Sequence, residues 1–288
     1  SNKAEIITRV LYPSDSTPAG QELRLRQEYF FSSASLQDII RRHIQQYDEV
    51  RSLADKAAIQ LNDTHPAVAV TELMRILIDN HNLDWDEAWK ITKDCIGYTN
   101  HTLLPEALES WPVHLFERVL PRHMQIVYSI NAKLIAEAQK RPDCTPDFLA
   151  SISLIDEHNG RRVRMGQLAF VGSHSINGVS ALHTSLMKES VFKDLNKLYP
   201  ERINNKTNGI TPRRWLLGVN PELTALLCDA IGDKLLDNTG LLANARPFAK
   251  DKDFARQFAA IKRRNKEELS NLISARMGIK ADPSAMFD

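Results

Sequence analysis

The sequence lacks the short motifs that identify several large classes of enzyme. Its nine histidines form no HExxH or related zinc-hydrolase spacing, and no GxSxG, Walker or GxGxxG sequence occurs. Its three cysteines, Cys95, Cys144 and Cys228, are odd in number and far apart. This spacing argues against a disulfide framework and against a CxxC metal site. We therefore expect no bound metal, and a reducing cytoplasm as the location.

The sequence also lacks an excess of charge of either sign and any long apolar run. Lys and Arg together number 37, and Asp and Glu together number 36, so the formal net charge is +1. Such a chain has no field that would attract nucleic acid or anionic lipid, and no segment that would span a membrane. Hydrophobic residues make up 43% and charged residues 25%, as in an ordinary globular protein. We therefore expect small or neutral partners.

Apolar runs and helical periodicity alternate in the first two-thirds of the chain. Residues 57–61 and 95–98 are predicted strands, and the apolar spacing of helices recurs between and after them. Residues 168–171 fit either a third buried strand or a helical turn, and Asn159-Gly160 predicts a hairpin. Ser35 opens a capping-box pattern, which predicts that a helix begins there. The alternation predicts a helix-rich α/β fold with a largely parallel sheet.

The last third of the chain has a different character. Thr211-Pro212 supplies a cap residue followed by an N1 proline, which predicts the start of a helix. Residues 221–278 then keep helical periodicity, and no strand is predicted among them. We therefore predict two domains, residues 1–204 and residues 205–288.

Short polar side chains follow the predicted strands. Ligands of parallel sheets bind beyond the carboxyl ends of the strands, so these loops are candidates for a binding site. Amides, hydroxyls, imidazoles and a single carboxylate form a neutral hydrogen-bonding rim, which suits sugar hydroxyls better than a phosphate or a metal ion. Ordinary turn and cap chemistry is the alternative for each loop taken alone. The residues are Asn62, Asp63, Thr64, His65, Thr99, Asn100, His101, Thr102, Ser173, His174 and Asn208.

Two charged pairs admit both a functional and a structural interpretation. Glu106 and Glu109 lie three residues apart after a proline, so on a helix they share one face as an acid/base or sugar-binding pair, or as a solvated helix start. Arg213 and Arg214 stand in a first helical turn, where the helix dipole disfavours positive charge. A phosphate or a cofactor phosphate would resolve this, with Trp215 as an apolar wall. Salt bridges to acidic residues are the alternative.

Three strings of the sequence resemble the α-1,4-glucan phosphorylase family, which comprises glycogen, starch and maltodextrin phosphorylases. They are LNDTHP at residues 61–66, YTNHTLLPEALE at 98–109 and KTNGITPRRW at 206–215. Shorter similarities occur at residues 11–13, 23–30, 120–123 and 177–179, so the resemblance covers nearly the whole chain.

The resemblance implies part of a two-lobed GT-B glycosyltransferase fold, namely the rear of the N-terminal lobe and the helical start of the C-terminal lobe. It implies a homodimeric enzyme that uses inorganic phosphate to cleave the non-reducing-end unit of an α-1,4-glucan, releasing glucose 1-phosphate. Pyridoxal 5'-phosphate is the implied cofactor, and its phosphate exchanges a proton with the substrate phosphate.

The chain itself is expected to be an inactive internal fragment of such an enzyme. It starts at Ser1-Asn2 without a methionine and ends at Phe287-Asp288 without the character of a tail, so we expect both ends to be cut. The resemblance places the cofactor lysine and the ligands of the substrate phosphate beyond Asp288. No catalytic residue and no bound cofactor are therefore expected in this chain.

The resemblance also implies roles for individual residues. His101 and Asn208 match the residues that hold the terminal glucose, with Val179 near that sugar. Trp215 matches a tryptophan that contacts the cofactor. The gate and acceptor-sugar region is matched by Tyr12, Arg24, Asp63, His65 and Glu106, and Tyr12 is suited to stacking on a sugar ring. Residues 14–20 depart from the asparagine-rich gate loop of the family.

A non-catalytic glucan-binding module is the alternative function. The residues His123, Gln125 and Tyr128 resemble a secondary polysaccharide site of the animal enzymes. A plain amphipathic helix accounts for the same spacing.

Overall fold

A computed structural model describes residues 2–104, 107–158 and 160–286, and the chain forms two compact units, Ser1–Asn208 and Gly209–Asp288. The first unit continues past residue 204 because the last strand of its sheet ends at Asn205 and the backbone N–H of Asn208 still donates to the carbonyl of Val179. Within the described ranges, no helix combines the length and the hydropathy that a membrane span requires.

The first unit alternates helices and short strands. Its α-helices are α1 (Asn2–Arg9), α2 (Pro18–Tyr47), α3 (Leu53–Lys56), α4 (Val68–Arg75), α5 (Trp85–Cys95), α6 (Val113–Val119), α7 (Pro121–Ala138), α8 (Pro146–Ile152), α9 (Met165–Val171), α10 (Ala181–Glu189) and α11 (Lys193–Leu198). Its strands are β1 (Ile59–Asn62), β2 (Ile96–Thr99), β3 (Ser110–Pro112), β4 (Ile155–Asp156), β5 (Arg162–Arg164), β6 (Ser175–Gly178) and β7 (Ile203–Asn205). The predicted helix-rich α/β fold is confirmed.

A four-stranded parallel sheet in the order β1-β2-β6-β7 forms the centre of this unit. Its register aligns Leu61, Tyr98, Ile176 and Ile203 in one row across the sheet, and all four side chains are buried. The row that follows contains only polar residues, Asn62, Thr99, Asn177 and Asn204. Because the strands are parallel, these polar residues lie together at the carboxyl edge of the sheet.

Residues 168–171 belong to helix α9, so the helical alternative is correct, and the strand that precedes the next helix is β6. β6 was not predicted because only Ile176 and Gly178 are buried in it, and four residues of mixed polarity show no clear period. The predicted hairpin is present as the antiparallel pair β4 and β5, with Gly160 at a φ of 75°. Asn159 lies outside the described residues.

Helix α2 begins seventeen residues before the predicted start at Ser35, counting from Pro18. Its N-terminus is capped by Thr17, whose side chain accepts the backbone N–H of Gly20 at 3.1 Å, and Pro18 occupies N1. The capping box at Ser35 is therefore a wrong prediction, because the preceding residues are themselves good helix formers and the helix runs through them.

All the secondary-structure elements of the described second unit are helical. It contains a π-helical segment at Arg213–Gly218, α12 (Pro221–Ile231), two 3₁₀ segments at Asp233–Leu236 and Thr239–Lys250, and α13 (Lys252–Met277). An ordinary α-helix after Thr211-Pro212 was predicted, but only the short π-helical segment forms. Pro221 begins the next helix shortly afterwards. Because the residue before a proline avoids helical backbone angles, few residues are left in which a helix could continue.

A buried carboxylate links three helices of the first unit. Glu72 on α4 is fully buried and accepts hydrogen bonds from Ser33 at 2.6 Å and from Arg75 at 2.8 and 2.9 Å. The Nε2 atom of His123 on α7 lies 2.6 Å from Oε2 of Glu72. Burial alone would raise the pKa of Glu72, but the hydrogen bonds from Arg75, His123 and Ser33 lower it to about 2. The carboxylate is therefore charged and fully satisfied.

We expect Glu72→Gln to lower the free energy of unfolding by about 3 to 5 kcal/mol at pH 7, because Arg75 and His123 lose a buried carboxylate partner. Glu87→Gln removes the exposed ion pair with Arg51 and should cost less than about 1 kcal/mol. Urea denaturation measures both. Since the folded pKa lies below the usual value of 4.5, the contribution of Glu72 should persist above that pH and disappear as the pH falls toward about 2. Equal losses in the two variants would contradict this role.

Candidate functional site

Side chains at the carboxyl edge of the parallel sheet are joined by hydrogen bonds from strand to strand. Gln60 Nε2 donates to Thr99 Oγ1 at 2.9 Å, and Thr99 Oγ1 donates to Asn177 Oδ1 at 2.8 Å. The backbone continues this connection, because the N–H of Asp63 donates to Thr99 O and the N–H of Asn100 donates to Asn177 O. The edge therefore presents an ordered row of neutral donors and acceptors.

His101 lies at this edge beside the end of β1. Its Nε2 atom is 2.6 Å from Asn62 Oδ1, so the ring donates to the amide oxygen. His101 and Asn62 are both exposed. The sequence prediction that the loops after β1 and β2 meet at one place is thereby confirmed for this pair.

The backbone of Val179 joins Asn208 to the same edge. The N–H of Asn208 donates to Val179 O at 2.9 Å, and the N–H of Val179 donates to His183 Nδ1 at 3.1 Å. The side chain of Asn208 is exposed and forms no hydrogen bond within the described part of the chain. Two predicted sugar-binding residues that are 29 positions apart are thus held next to each other by one backbone hydrogen bond.

His183 also lies at this edge, although no role was predicted for it. Since its Nδ1 accepts a hydrogen bond, its proton resides on Nε2, which is buried and has no partner among the described residues. Burial and the neighbouring His101 lower the pKa of His183, so the ring is neutral. Ser180 caps helix α10 by accepting the N–H of His183, and this cap pattern was the available signal.

A second group of polar side chains surrounds Arg24 on α2. Arg24 Nη2 donates to Glu109 Oε2 at 2.8 Å, and Nε donates to Glu28 Oε1 at 3.3 Å. Thr64 Oγ1 donates to Glu109 Oε1 at 3.2 Å, and His65 Nδ1 lies 3.4 Å from the same oxygen. The structure therefore brings the predicted residues Arg24 and His65 together through Glu109. Glu106 lies outside the described residues.

Tyr12 and Asp63 border this cluster with unusual backbone conformations. Their φ angles are 59° and 69°, in the left-handed region that costs energy for residues other than glycine. The ring of Tyr12 packs edge-to-face on His65 with centroids 4.8 Å apart, and the guanidinium carbon of Arg24 lies 4.7 Å from the centroid of the same ring. Nearly half of Tyr12, 48%, remains exposed, so one face of the ring is accessible to a ligand. Tyr12, Arg24 and His65 line a cavity of about 130 Å³.

The two carboxyl groups of the cluster differ in protonation. Burial and the adjacent charge of Glu109 raise the pKa of Glu28 far above its usual value. Burial would also raise the pKa of Glu109, but hydrogen bonds from His65 and Glu28 and the charges of His65 and Arg24 lower it. Glu28 is therefore the neutral acid and Glu109 is the carboxylate that pairs with Arg24.

The ligand atoms of Glu28, His65 and Glu109 lie within 4.8 Å of one another, a spacing that suits a metal ion. The guanidinium group of Arg24 already contacts both carboxyl groups of this set, Glu28 at 3.3 Å and Glu109 at 2.8 Å. A second cation at the same point would be repelled by Arg24. The positive charge of Arg24 therefore disfavours a metal ion at this point.

Comparison with known proteins decides the family. A family model described as carbohydrate phosphorylase matches residues 1–288. The chain belongs to the carbohydrate phosphorylase family. It is 48% identical over 282 residues to glycogen phosphorylase of Haemophilus influenzae, 46% identical over 285 residues to that of Synechocystis, and 48% identical over 295 residues to the human brain form.

These alignments cover 98%, 99% and 100% of this chain but only 34%, 34% and 35% of the relatives. The chain therefore spans about a third of the length of the curated relatives that it matches. The resemblance of this sequence to the phosphorylase family is confirmed.

Three residues of the second unit had been predicted to form a cofactor or anion site. Arg213, Arg214 and Trp215 are all exposed, and Trp215 is exposed by 66%. Among the described residues, neither arginine has an acidic partner within 4.0 Å. Salt bridges within the described chain therefore do not account for the pair, and the anion site remains a prediction.

The three residues of the alternative glucan-binding face do not share one exposed surface of α7. His123 is only 4% exposed, because its ring points toward Glu72, while Tyr128 donates to Glu117 on α6 at 3.0 Å. Gln125 accepts a hydrogen bond from Arg122 at 3.0 Å. One of the three residues is thus on the buried side of the helix, as the amphipathic interpretation predicted.

The protonation difference in the Arg24 cluster predicts opposite responses to two similar substitutions. Glu28→Gln should leave the free energy of unfolding at pH 7 unchanged or higher, because Glu28 is already neutral. Glu109→Gln should lower it by about 1.5 to 3 kcal/mol, because Arg24 loses a charged acceptor. Urea denaturation measures both values.

The pH dependence provides a check on this prediction. The folded pKa of Glu28 lies above its usual value of 4.5, so the folded state binds the extra proton and the stability of the parent chain falls as the pH rises above that value. Glu28→Gln should lack this fall, and its advantage over the parent should grow from pH 5 to pH 8. Similar losses for both substitutions would show that both carboxyl groups are charged.

Proposed function

We propose that this chain is part of an α-1,4-glucan phosphorylase, a glycosyltransferase with a two-lobed GT-B fold. The observation that carries the proposal is the row of neutral hydrogen-bonding groups at the carboxyl edge of the parallel sheet. Sugar hydroxyls are recognised by such paired donors and acceptors, and the absence of excess charge in the row suits a neutral glucan. The family relationship of the whole chain supports the same reaction class.

The first unit would supply the rear of the N-terminal lobe, and the second unit the helical start of the C-terminal lobe. His101 and Asn208 would hydrogen-bond the terminal glucose, and Val179 would contact that sugar. The exposed side chain of Asn208 and the short His101–Asn62 contact support these roles, because both groups are accessible and one is already oriented.

The Arg24 cluster would contact the acceptor part of the glucan. The exposed face of Tyr12 suits stacking on a sugar ring. Arg24, Asp63 and His65 would supply hydrogen bonds beside that ring, and Glu106 would belong to the same region. Glu109 would position Arg24 and His65, because it contacts both.

Pyridoxal 5'-phosphate is the proposed cofactor of the longer polypeptide. The exposed indole of Trp215 suits a planar ring, and Arg213 and Arg214, which have no acidic partner in the described chain, suit a phosphate. When bound, the cofactor would supply the phosphate group that exchanges a proton with inorganic phosphate. No residue of this chain is assigned a catalytic role. A homodimer in a reducing cytoplasm is proposed, and three free cysteines are compatible with that compartment.

The first test is made on this chain alone. Purified chain incubated with maltodextrin and inorganic phosphate should release no glucose 1-phosphate, and pyridoxal 5'-phosphate added to it should give no stable absorbance band after dialysis. The reason is that the proposed anchor and phosphate ligands lie outside the chain. Turnover by these 288 residues would contradict the proposed division of the enzyme.

The second test concerns Asn208 in the longer polypeptide. Asn208→Ala should lower kcat/KM for maltoheptaose phosphorolysis by an amount equal to about 1 to 3 kcal/mol of transition-state binding, because a sugar hydroxyl loses its partner. Asn271→Ala changes an exposed asparagine on α13 and is the matched control, for which no change is expected. Equal kcat/KM values in both variants would refute the assignment of Asn208.

A further inference from the structure

A second cavity lies at the opposite edge of the parallel sheet from the proposed glucan site. Lys93 precedes β2, Val171 precedes β6, and Arg202 directly precedes β7, so the cavity is at the amino ends of these strands. Helix α7 covers it with Ile130, Lys133, Leu134 and Glu137. Its volume is about 110 Å³. This cavity shares none of its lining residues with the sites described above.

Aromatic rings form much of the cavity wall. Trp85 and Trp89 on α5 line it together with Tyr199. The Nε1 atom of Trp85 is buried and has no hydrogen-bond partner in the described chain. Because this atom is inaccessible, the rings rather than the N–H are the contact surface that the cavity offers a ligand.

Two cations of the cavity lack a counter-ion. The guanidinium carbon of Arg202 lies 3.8 Å from the ring centroid of Tyr199. The same group donates to the carbonyls of Val171 and Ser173, each at 3.3 Å. The ammonium group of Lys93 lies 5.6 Å from the centroid of Trp89. Within the described residues, neither cation has a carboxylate within 4.0 Å, and both side chains are partly buried.

Of the other charges that line the cavity, Lys133 forms an ion pair with Asp86 at 2.6 Å. Glu137 accepts a hydrogen bond from Tyr199 at 2.8 Å, and its negative charge attracts both Lys93 and Arg202. Burial and the nearby charge of Arg202 nevertheless lower the pKa of Lys93, so one carboxylate does not fully compensate the two cations. Glu137 limits the anionic charge that the cavity tolerates, so a singly charged group is favoured over a doubly charged one.

We propose that this cavity binds a small organic monoanion, an aromatic carboxylate about the size of benzoate. Its carboxylate would be shared by Lys93 and Arg202, and its ring would contact the tryptophan side chains. The cavity volume of about 110 Å³ limits the ligand to a single small ring, since an apolar cavity of roughly 150 Å³ accommodates benzene. The aromatic wall and Glu137 together disfavour inorganic phosphate.

The proposal is tested by titrating the chain with sodium benzoate in an isothermal calorimeter. Saturable binding of benzoate is expected. Benzyl alcohol, which lacks the charge, and inorganic phosphate, which lacks the ring, should each bind at least about tenfold more weakly. Equal binding of benzyl alcohol would show that the cations play no part. No saturation by benzoate up to about 10 mM, near the millimolar limit of weak specific sites, would overturn the proposal.

Three substitutions locate the site. Lys93→Gln should weaken benzoate binding about tenfold, because a charge-assisted hydrogen bond is lost. Lys90→Gln is the matched control on the same helix, since Lys90 is exposed and paired with Asp94, and it should change nothing. Glu137→Gln should strengthen benzoate binding, because it removes a negative charge that repels the carboxylate. The amide oxygen of the new side chain can still accept the hydrogen bond from Tyr199. An equal loss in Lys93→Gln and Lys90→Gln would overturn the proposal.

A spectroscopic measurement on the unsubstituted chain keeps the test independent of how the variants fold. The chain has four tryptophans, whose indole N–H signals are assigned by single Trp→Phe changes. Benzoate should shift the signals of Trp85 and Trp89 and leave those of Trp111 and Trp215 in place. Shifts confined to Trp111 or Trp215 would place benzoate elsewhere and would refute the site.

Discussion

The parallel pairing of β1, β2, β6 and β7 is the constraint on which the rest of the first unit depends. Its register aligns Leu61, Tyr98, Ile176 and Ile203 in the core. The next residue of each strand is polar, and the same register places these four residues together at the carboxyl edge. A slip of one residue in a single strand would move an apolar side chain into the hydrogen-bonded row and a polar one into the core. The burial of four large side chains thus also determines the alignment of the proposed glucan site.

The Arg24 cluster depends on the same sheet for its position. Thr64 and His65 follow β1 directly, so the register that orders the carboxyl edge also presents both residues to Glu109. The left-handed backbone of Tyr12 and Asp63 is tolerated because hydrogen bonds surround it: the N–H of Tyr12 donates to Gln27, and the N–H of Asp63 donates to Thr99. Strain of this kind occurs where a surrounding framework is rigid enough to hold a side chain in a fixed orientation.

Three buried or partly buried charges of the first unit contrast in how they are satisfied. Glu72 has hydrogen bonds to both oxygens and a role in joining helices, so its charge has a complete structural explanation. Lys93 and Arg202 line one cavity, and neither has a carboxylate within 4.0 Å among the described residues. Desolvated charge without a partner is costly, and the fold retains both cations at the amino edge of the sheet. This difference separates a structural cluster from a candidate ligand site.

The sequence by itself determined the family, the helix-rich α/β class, strands β1 and β2 with their polar loops, and the neutral chemistry of the carboxyl edge. These features depend on local patterns, because apolar periodicity and turn residues act over a few positions. The tertiary structure alone decided that Glu109 holds Arg24 and His65, that β6 is a strand, and that His123 faces Glu72. It also decided the protonation of Glu28 and that no carboxylate of the described residues forms an ion pair with Lys93 or Arg202. Burial and charge neighbours arise from segments distant in sequence, and no local pattern records which of them will meet.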